Sequence, residues 1–172
     1  MLLCTYAIYL DSHSIKLQIK DDVKKENLMR ESFYSGSKIE NTEYDGRLLG
    51  NLIVDSINLD KMIIRSSVNK LQYNLDLNNI VTIDTLESKT LFLYGHYTEV
   101  YGLVLNRLSE VKLRANFIIK SFNNKQKYIV VDKGHVLKQD IEKLKEDNTV
   151  IILTCTNDFS ENEYYYVKGK RS

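Results

Sequence analysis

Cys155 closes the apolar run Thr149-Val150-Ile151-Ile152-Leu153-Thr154, and His96 follows Leu91-Phe92-Leu93-Tyr94-Gly95. A thiol and an imidazole thus each stand where a strand runs out into a loop. Strand ends are where a rigid scaffold exposes reactive side chains, whereas the middle of either run would be core. A thiol attacks only as thiolate, and a nearby imidazole supplies the proton acceptor or the stabilising positive charge. One cysteine with a histidine distant in sequence is the form such a pair takes. Taken singly each is bland, since free cysteines are among the most buried residues and a histidine after a strand is commonly a satisfied rim residue. Together they point to thiol nucleophile chemistry.

The other chemistry-bearing residues give less. His135 follows Lys133-Gly134 and reads as a solvated turn residue; His13, flanked by two serines, reads the same way. With histidines so scattered and only two cysteines, neither zinc nor any other cofactor is expected. No glycine pattern for cradling a phosphate is present. Asp158, Glu161 and Glu163 follow Cys155 without the spacing of a calcium loop and read as a solvated loop. Tyr164, Tyr165 and Tyr166 read as core on one face of a terminal strand and cross-strand pairs on the other. Cys4 lies in an apolar run, where a buried or membrane-proximal thiol is a simpler account than a disulfide that would quench Cys155.

The elements that must position the pair follow from composition and pattern. A chain of 172 residues with 43% hydrophobic content supports one globular core. With 24 basic against 23 acidic residues, net charge +1, nothing pulls it globally toward nucleic acid. Proline is absent, so strand ends must be marked by Gly, Asn, Asp and Ser. Residues 1–46 read as an appendage: an apolar start over 1–10, an amphipathic helix over 14–29 with Ile15, Ile19 and Val23 at helical spacing, then an irregular linker. Ten apolar residues fall short of the about 20 a membrane helix needs. The run is either an element packed on the domain or the tail of a membrane anchor whose upstream part lies outside this chain. From 47 to 172 the chain reads as mainly β, with strands over 48–53, 62–64, 80–83, 90–94, 115–121, 127–132, 149–155 and 164–167. Asn123-Asn124 marks a hairpin, and residues 100–111 and 138–145 read as short crossover helices. Eight short strands imply a barrel or sandwich.

At these residues the sequence resembles the sortases, cysteine transpeptidases of Gram-positive cell surfaces. Gly50-Asn51-Leu52-Ile53-Val54-Asp55-Ser56-Ile57-Asn58-Leu59 is similar to the family's opening strand and loop, without its usual proline. Thr90 to His96 is similar to the Gly-His strand, Ile151-Ile152-Leu153-Thr154-Cys155 to the Thr-Leu-x-Thr-Cys motif, and Val167-Lys168-Gly169-Lys170-Arg171 to the closing strand. The resemblance implies a closed eight-stranded β-barrel with a Cys-His-Arg site. Cys155 would attack the Thr-Gly carbonyl of an LPxTG-like sorting signal on a surface or pilin protein. An amine acceptor, a cell-wall precursor or a pilin lysine, would resolve the thioacyl enzyme. His96 would act as general acid and base, Thr154 would bind substrate, and an arginine would hold the oxyanion. The implied location is the extracytoplasmic surface, with membrane association through the N-terminus.

One position departs from the pattern. Where the family carries its arginine this chain has Tyr164, and no arginine stands between Cys155 and Arg171. A phenol donates one hydrogen bond but lacks permanent charge and a fork of donors. Tyr164 could serve as the donor, Lys168 or Arg171 could move in, or the enzyme could be impaired. Arg171 falls on the wrong strand face and almost at the chain end. Three readings therefore stay open: a transpeptidase, an inactive barrel that binds sorting peptides, and a cysteine peptidase that hydrolyses its acyl enzyme.

Overall fold

The structure is a computed structural model, and it describes residues 47–98, 101–122, 124–156 and 162–172. The expected appendage over 1–46, with Cys4 and His13, lies outside the described residues, as do Asn123, Asp158 and Glu161. The described residues group as one compact unit.

Eight strands close into a barrel: β1 (Arg47–Val54), β2 (Leu59–Arg65), β3 (Ile80–Thr82), β4 (Thr90–Tyr94), β5 (Asn116–Lys120), β6 (Lys125–Leu137), β7 (Thr149–Cys155) and β8 (Glu163–Arg171). Their order around the barrel is β1-β2-β3-β4-β7-β8-β6-β5. The β2/β3 and β4/β7 pairs are parallel and the rest antiparallel. Closure leaves no free sheet edge, which suits a chain whose strands are short. Alternation divides the apolar residues of β4 and β7 between two layers. Leu91, Leu93, Val150 and Ile152 point into the barrel core, whereas Phe92, Ile151 and Leu153 form an outer cluster with Tyr166. Both strands are therefore near-continuous apolar runs, as strands buried on two faces must be.

The second layer is closed by residues 138–144, where the short crossover helix expected over 138–145 takes the 3₁₀ form. Ile141 and Leu144, three residues apart, both pack on the outer cluster, because i and i+3 eclipse in a three-residue turn. The helix expected over 100–111 is, in its described part, a series of turns ending in a 3₁₀ turn at Leu108–Glu110. An α-helix the sequence reading missed, α1 (Leu71–Asp76), precedes β3. His135 also corrects its expectation: it lies within β6 opposite Tyr165, not in a loop. A bulge between Val130 and Asp132 absorbs the charged Asp132-Lys133 step and lets the strand resume through Gly134.

Asparagine takes the turns that proline would otherwise mark. Asn58, Asn78 and Asn148, each at the end of an element, have φ of 53°, 59° and 61°, the left-handed region that asparagine tolerates best after glycine.

Gly169 in β8 is required by the core. A Cβ there would lie 2.2 Å from Phe117 Cε1 and 2.4 Å from Cζ. Phe117 is buried and stacked on Tyr128 at 5.2 Å between ring centroids. Gly169→Ala is expected to destabilise the barrel by about 1–3 kcal/mol through overpacking, read as a lower denaturant midpoint. A wild-type midpoint would show that the Phe117 ring can move aside.

Candidate active site

Three adjacent strands, β4, β7 and β8, carry the residues with chemical potential to one face. In β7, residues 150 and 152 point inward and 151 and 153 outward, so Cys155 falls on the outer face. It ends the strand, is exposed and carries a free thiol. In β4, Tyr94 pairs with Leu153, and the Gly95 amide donates to the Leu153 carbonyl at 3.0 Å. The parallel register thus continues past the last strand pair as far as Gly95, and His96 follows at the start of the loop that leaves β4. In β8, Tyr164 is the cross-strand partner of Cys155.

Gly95 lets core side chains pack against this strand end. A Cβ on it would lie 2.7 Å from Leu105 Cδ1 and 2.9 Å from Ile80 Cδ1, so a side chain before His96 would collide with the core. The Leu105 amide in turn donates to the His96 carbonyl at 3.3 Å, which ties the loop after His96 back on the strand end. Val104 has φ 49°, a strained conformation for a β-branched residue next to that bond.

The imidazole has a partner that the sequence reading did not find. His96 Nε2 lies 3.0 Å from Asp76 Oδ1, at the end of α1. The Asp76 carboxyl is held below its ordinary range, first by the His96 hydrogen bond and then by Gln72. Nothing in the sequence separates Asp76 from the other surface acids, because helix α1 is only six residues long and shows too little periodicity to be recognised.

The phenols are held protonated. Burial, and then the charge of Cys155, push Tyr164 above its ordinary value. Tyr94 is pushed up to about 12, first by burial and then by Asp84 and Tyr164. Both therefore offer an O–H across the neutral range.

The remaining expected residues fall elsewhere. Thr154 is inward-facing, 3% exposed, with its hydroxyl lacking a hydrogen-bond partner. Contact with a substrate on the outer face would come from its backbone, not its hydroxyl. Lys168 pairs with Ile151, about 13 Å along the strand from Tyr164, and forms an ion pair with Glu146 at 2.7 Å. Glu146 is held down to about 2, first by Lys168 and then by Lys170. Arg171 lies at the far end of β8 opposite Tyr128. No basic residue among those described in β8 is thus available to stand beside Cys155. His135 contacts the Tyr165 ring edge-on at 5.2 Å and lies 3.3 Å from Glu163.

Beside the outer cluster a cavity of about 420 Å³ opens, lined by Asp84, Phe92, Tyr94, Glu142 and Lys145 among others. That is the size range of pockets for small molecules and peptide side chains. Among the described residues no group of three His, Cys, Asp or Glu is placed to hold a metal, and no helix is long and apolar enough to cross a membrane.

Residues 52–172, most of the chain, match the family model of the sortase domain. The chain belongs to the sortase family. Solved sortases share its fold. A Listeria monocytogenes sortase A superposes with TM-score 0.62 at 13% identity, covering 73% of this chain and 87% of that one. Streptococcus agalactiae sortase C1, in complex with MTSET, gives 0.62 at 22% identity over 91% of this chain and 90% of that one. Clostridium perfringens sortase C, solved with the C-terminal cell wall sorting motif, gives 0.60 at 20% identity over 90% and 89%. No curated protein sequence matches the chain. The sortase assignment bears out the closed eight-stranded barrel expected from the sequence. Sortases as a family are cysteine transpeptidases of the cell surface, which fits an exposed free thiol at a barrel strand end.

Proposed function

We propose that this sortase is an active transpeptidase that cleaves an LPxTG-like sorting signal and joins it to an amine. What supports this reading is the exposed free thiol of Cys155 at the end of β7, with Tyr164 as its cross-strand partner and His96 just past the end of the adjacent strand β4. With His96 as imidazolium and Cys155 as thiolate, Sγ forms a bond to the Thr-Gly carbonyl carbon and the carbonyl π electrons move to oxygen. His96 gives a proton to the leaving amine as the C–N bond breaks, leaving a thioester on Cys155. The acceptor amine then attacks, loses its proton to His96, and the C–S bond breaks to release the Cys155 thiolate, restoring the thiolate and imidazolium. Tyr164 donates its O–H to the oxyanion of each tetrahedral intermediate. The cavity bordered by Phe92 and Tyr94 takes part of the signal peptide. The chemistry calls on no cofactor. The substrates are surface or pilin proteins, the acceptor a cell-wall precursor or pilin lysine, and the setting the extracytoplasmic face, with the N-terminus at the membrane.

One observation favours a second reading, a barrel that binds sorting peptides without cleaving them: the strand partner of Cys155 is a neutral phenol, and Lys168 is committed to Glu146. Incubating the full chain with fluorogenic LPxTG-type peptides, with and without an added amine, separates the cases. The expected result is a peptidyl adduct on Cys155 and incorporation of the amine into product. Peptide binding without adduct or cleavage across several sorting peptides would transfer the assignment to the binding module. Hydrolysis with no amine incorporated would make it a peptidase.

A further inference from the structure

Asp76 is presented to His96 by a support built for rigidity. Its helix is short, yet Asn74, fully buried, donates through Nδ2 to Ser66 Oγ at 2.9 Å and to the Lys70 carbonyl at 3.2 Å. Asn79 Nδ2 donates to the Asn74 carbonyl at 3.2 Å, and the Ser66 amide donates to the Thr82 carbonyl at 2.8 Å. These bonds fasten α1 to β2 and β3, so the position of Asp76 is inherited from the barrel wall. Gln72, one turn earlier, donates through Nε2 to the same Oδ1 at 2.8 Å, which fixes the carboxylate rotamer. An ionised carboxylate accepts and never donates. The ring nitrogen facing it must therefore carry the hydrogen.

We propose that Asp76 is a positioning residue of this active site: it locks His96 in the Nε2–H tautomer and leaves Nδ1 as the nitrogen that exchanges protons with the reacting atoms. The inference rests on the assignment of His96 as general acid and base. In the first half-reaction the imidazolium gives its Nδ1 proton to the leaving amine while Nε2–H stays on Asp76. In the second, Nδ1 takes the proton of the incoming amine as the new C–N bond forms and the C–S bond breaks. Asp76 touches neither substrate nor thiol. It removes the ring flip and the wrong tautomer, the role that an orienting group plays behind a catalytic base. Both partners are partly exposed, with side-chain exposures of 30% for His96 and 60% for Asp76, so solvent limits the effect.

The test uses the full chain labelled with ¹⁵N-histidine, observed with the imidazole neutral, His96→Gln identifying the resonances of His96. In wild type the expected spectrum shows a protonated Nε2 and an unprotonated Nδ1. Asp76→Ala should move both shifts toward their average, and Asp76→Glu should restore the wild-type pattern in part. In the peptide assay Asp76→Ala should lower kcat about tenfold, a fraction of what a positioned proton-transfer group supplies, with KM unchanged. A wild-type ring protonated at Nδ1, or an Asp76→Ala variant with the wild-type tautomer and kcat, overturns the proposal. If wild type turns over no peptide, the transpeptidase reading fails, while the ¹⁵N shifts still decide whether Asp76 sets the tautomer.

Discussion

Cys155→Ala is expected to abolish both the peptidyl adduct and turnover, lowering the rate by a factor on the order of 10⁴ or more, the scale of nucleophile deletion in acyl-transfer enzymes. The fold should be indifferent to the change. Residues 149–154 of β7 are buried, but Cys155 is exposed at the strand end, so it contributes little to the core, and exposed substitutions usually change stability by less than about 0.5 kcal/mol. Peptide affinity should likewise persist, because Cys155 is not among the residues that line the cavity, whose walls come from β4, from Ile83, Asp84 and Lys89 and from residues 142–147. Unchanged unfolding, retained binding and lost chemistry together would assign the thiol to the bond-making step. Iodoacetamide provides a parallel check, since alkylation of the one described free thiol should silence the wild type. Turnover by Cys155→Ala at the wild-type rate would remove Cys155 from the mechanism altogether.

What the sequence disclosed about this site depended on how locally each feature is encoded. The limits expected for β4 and β7, 90–94 and 149–155, are those observed, because each is a continuous apolar run ended by a change to polar residues. Cys155 and His96 were legible for the same reason: they stand at those ends. β6 was read short, since Lys133-Gly134 carries the chemistry of a turn and only the bulge at Val130/Asp132 keeps it in the strand. Helix α1 was missed because its buried position is polar: Asn74 sits where periodicity looks for an apolar side chain, and its hydrogen bonds replace apolar packing. Asp76 was hidden with it, as the partner of His96 is set by barrel closure and not by any nearby motif. At Thr154 the strand pattern says more than the motif does. Its place in a recognisable motif suggested substrate contact, while simple alternation in β7 turns its side chain inward.

Tyr164 stands where the sequence resemblance implies an arginine, and it carries the second large effect. Tyr164→Phe is expected to lower kcat/KM about 10²-fold, near the lower bound for removing one oxyanion donor. The ring would keep its packing in the outer cluster beside Leu153 and Val136, so stability should stay close to wild type. Cys155 alkylation should also proceed at the wild-type rate, which would locate the defect after thiolate formation. The reasoning turns on protonation: burial first, and the charge of Cys155 second, raise the Tyr164 phenol above its ordinary value. The group thus remains a donor throughout the range in which a thiolate and an imidazolium coexist, and no loss of activity from its ionisation is expected below about pH 10. Tyr164→Arg is the reciprocal experiment. A guanidinium offers permanent charge and a fork of donors, and charge-assisted hydrogen bonds are about twice as strong as neutral ones, so this variant should exceed wild type in kcat/KM. Equal activity of the Phe variant and wild type would exclude Tyr164 as the donor. A gain from arginine alone, with no loss from phenylalanine, would instead mean that the native barrel works without an oxyanion donor at this position, leaving its rate to Cys155 and His96.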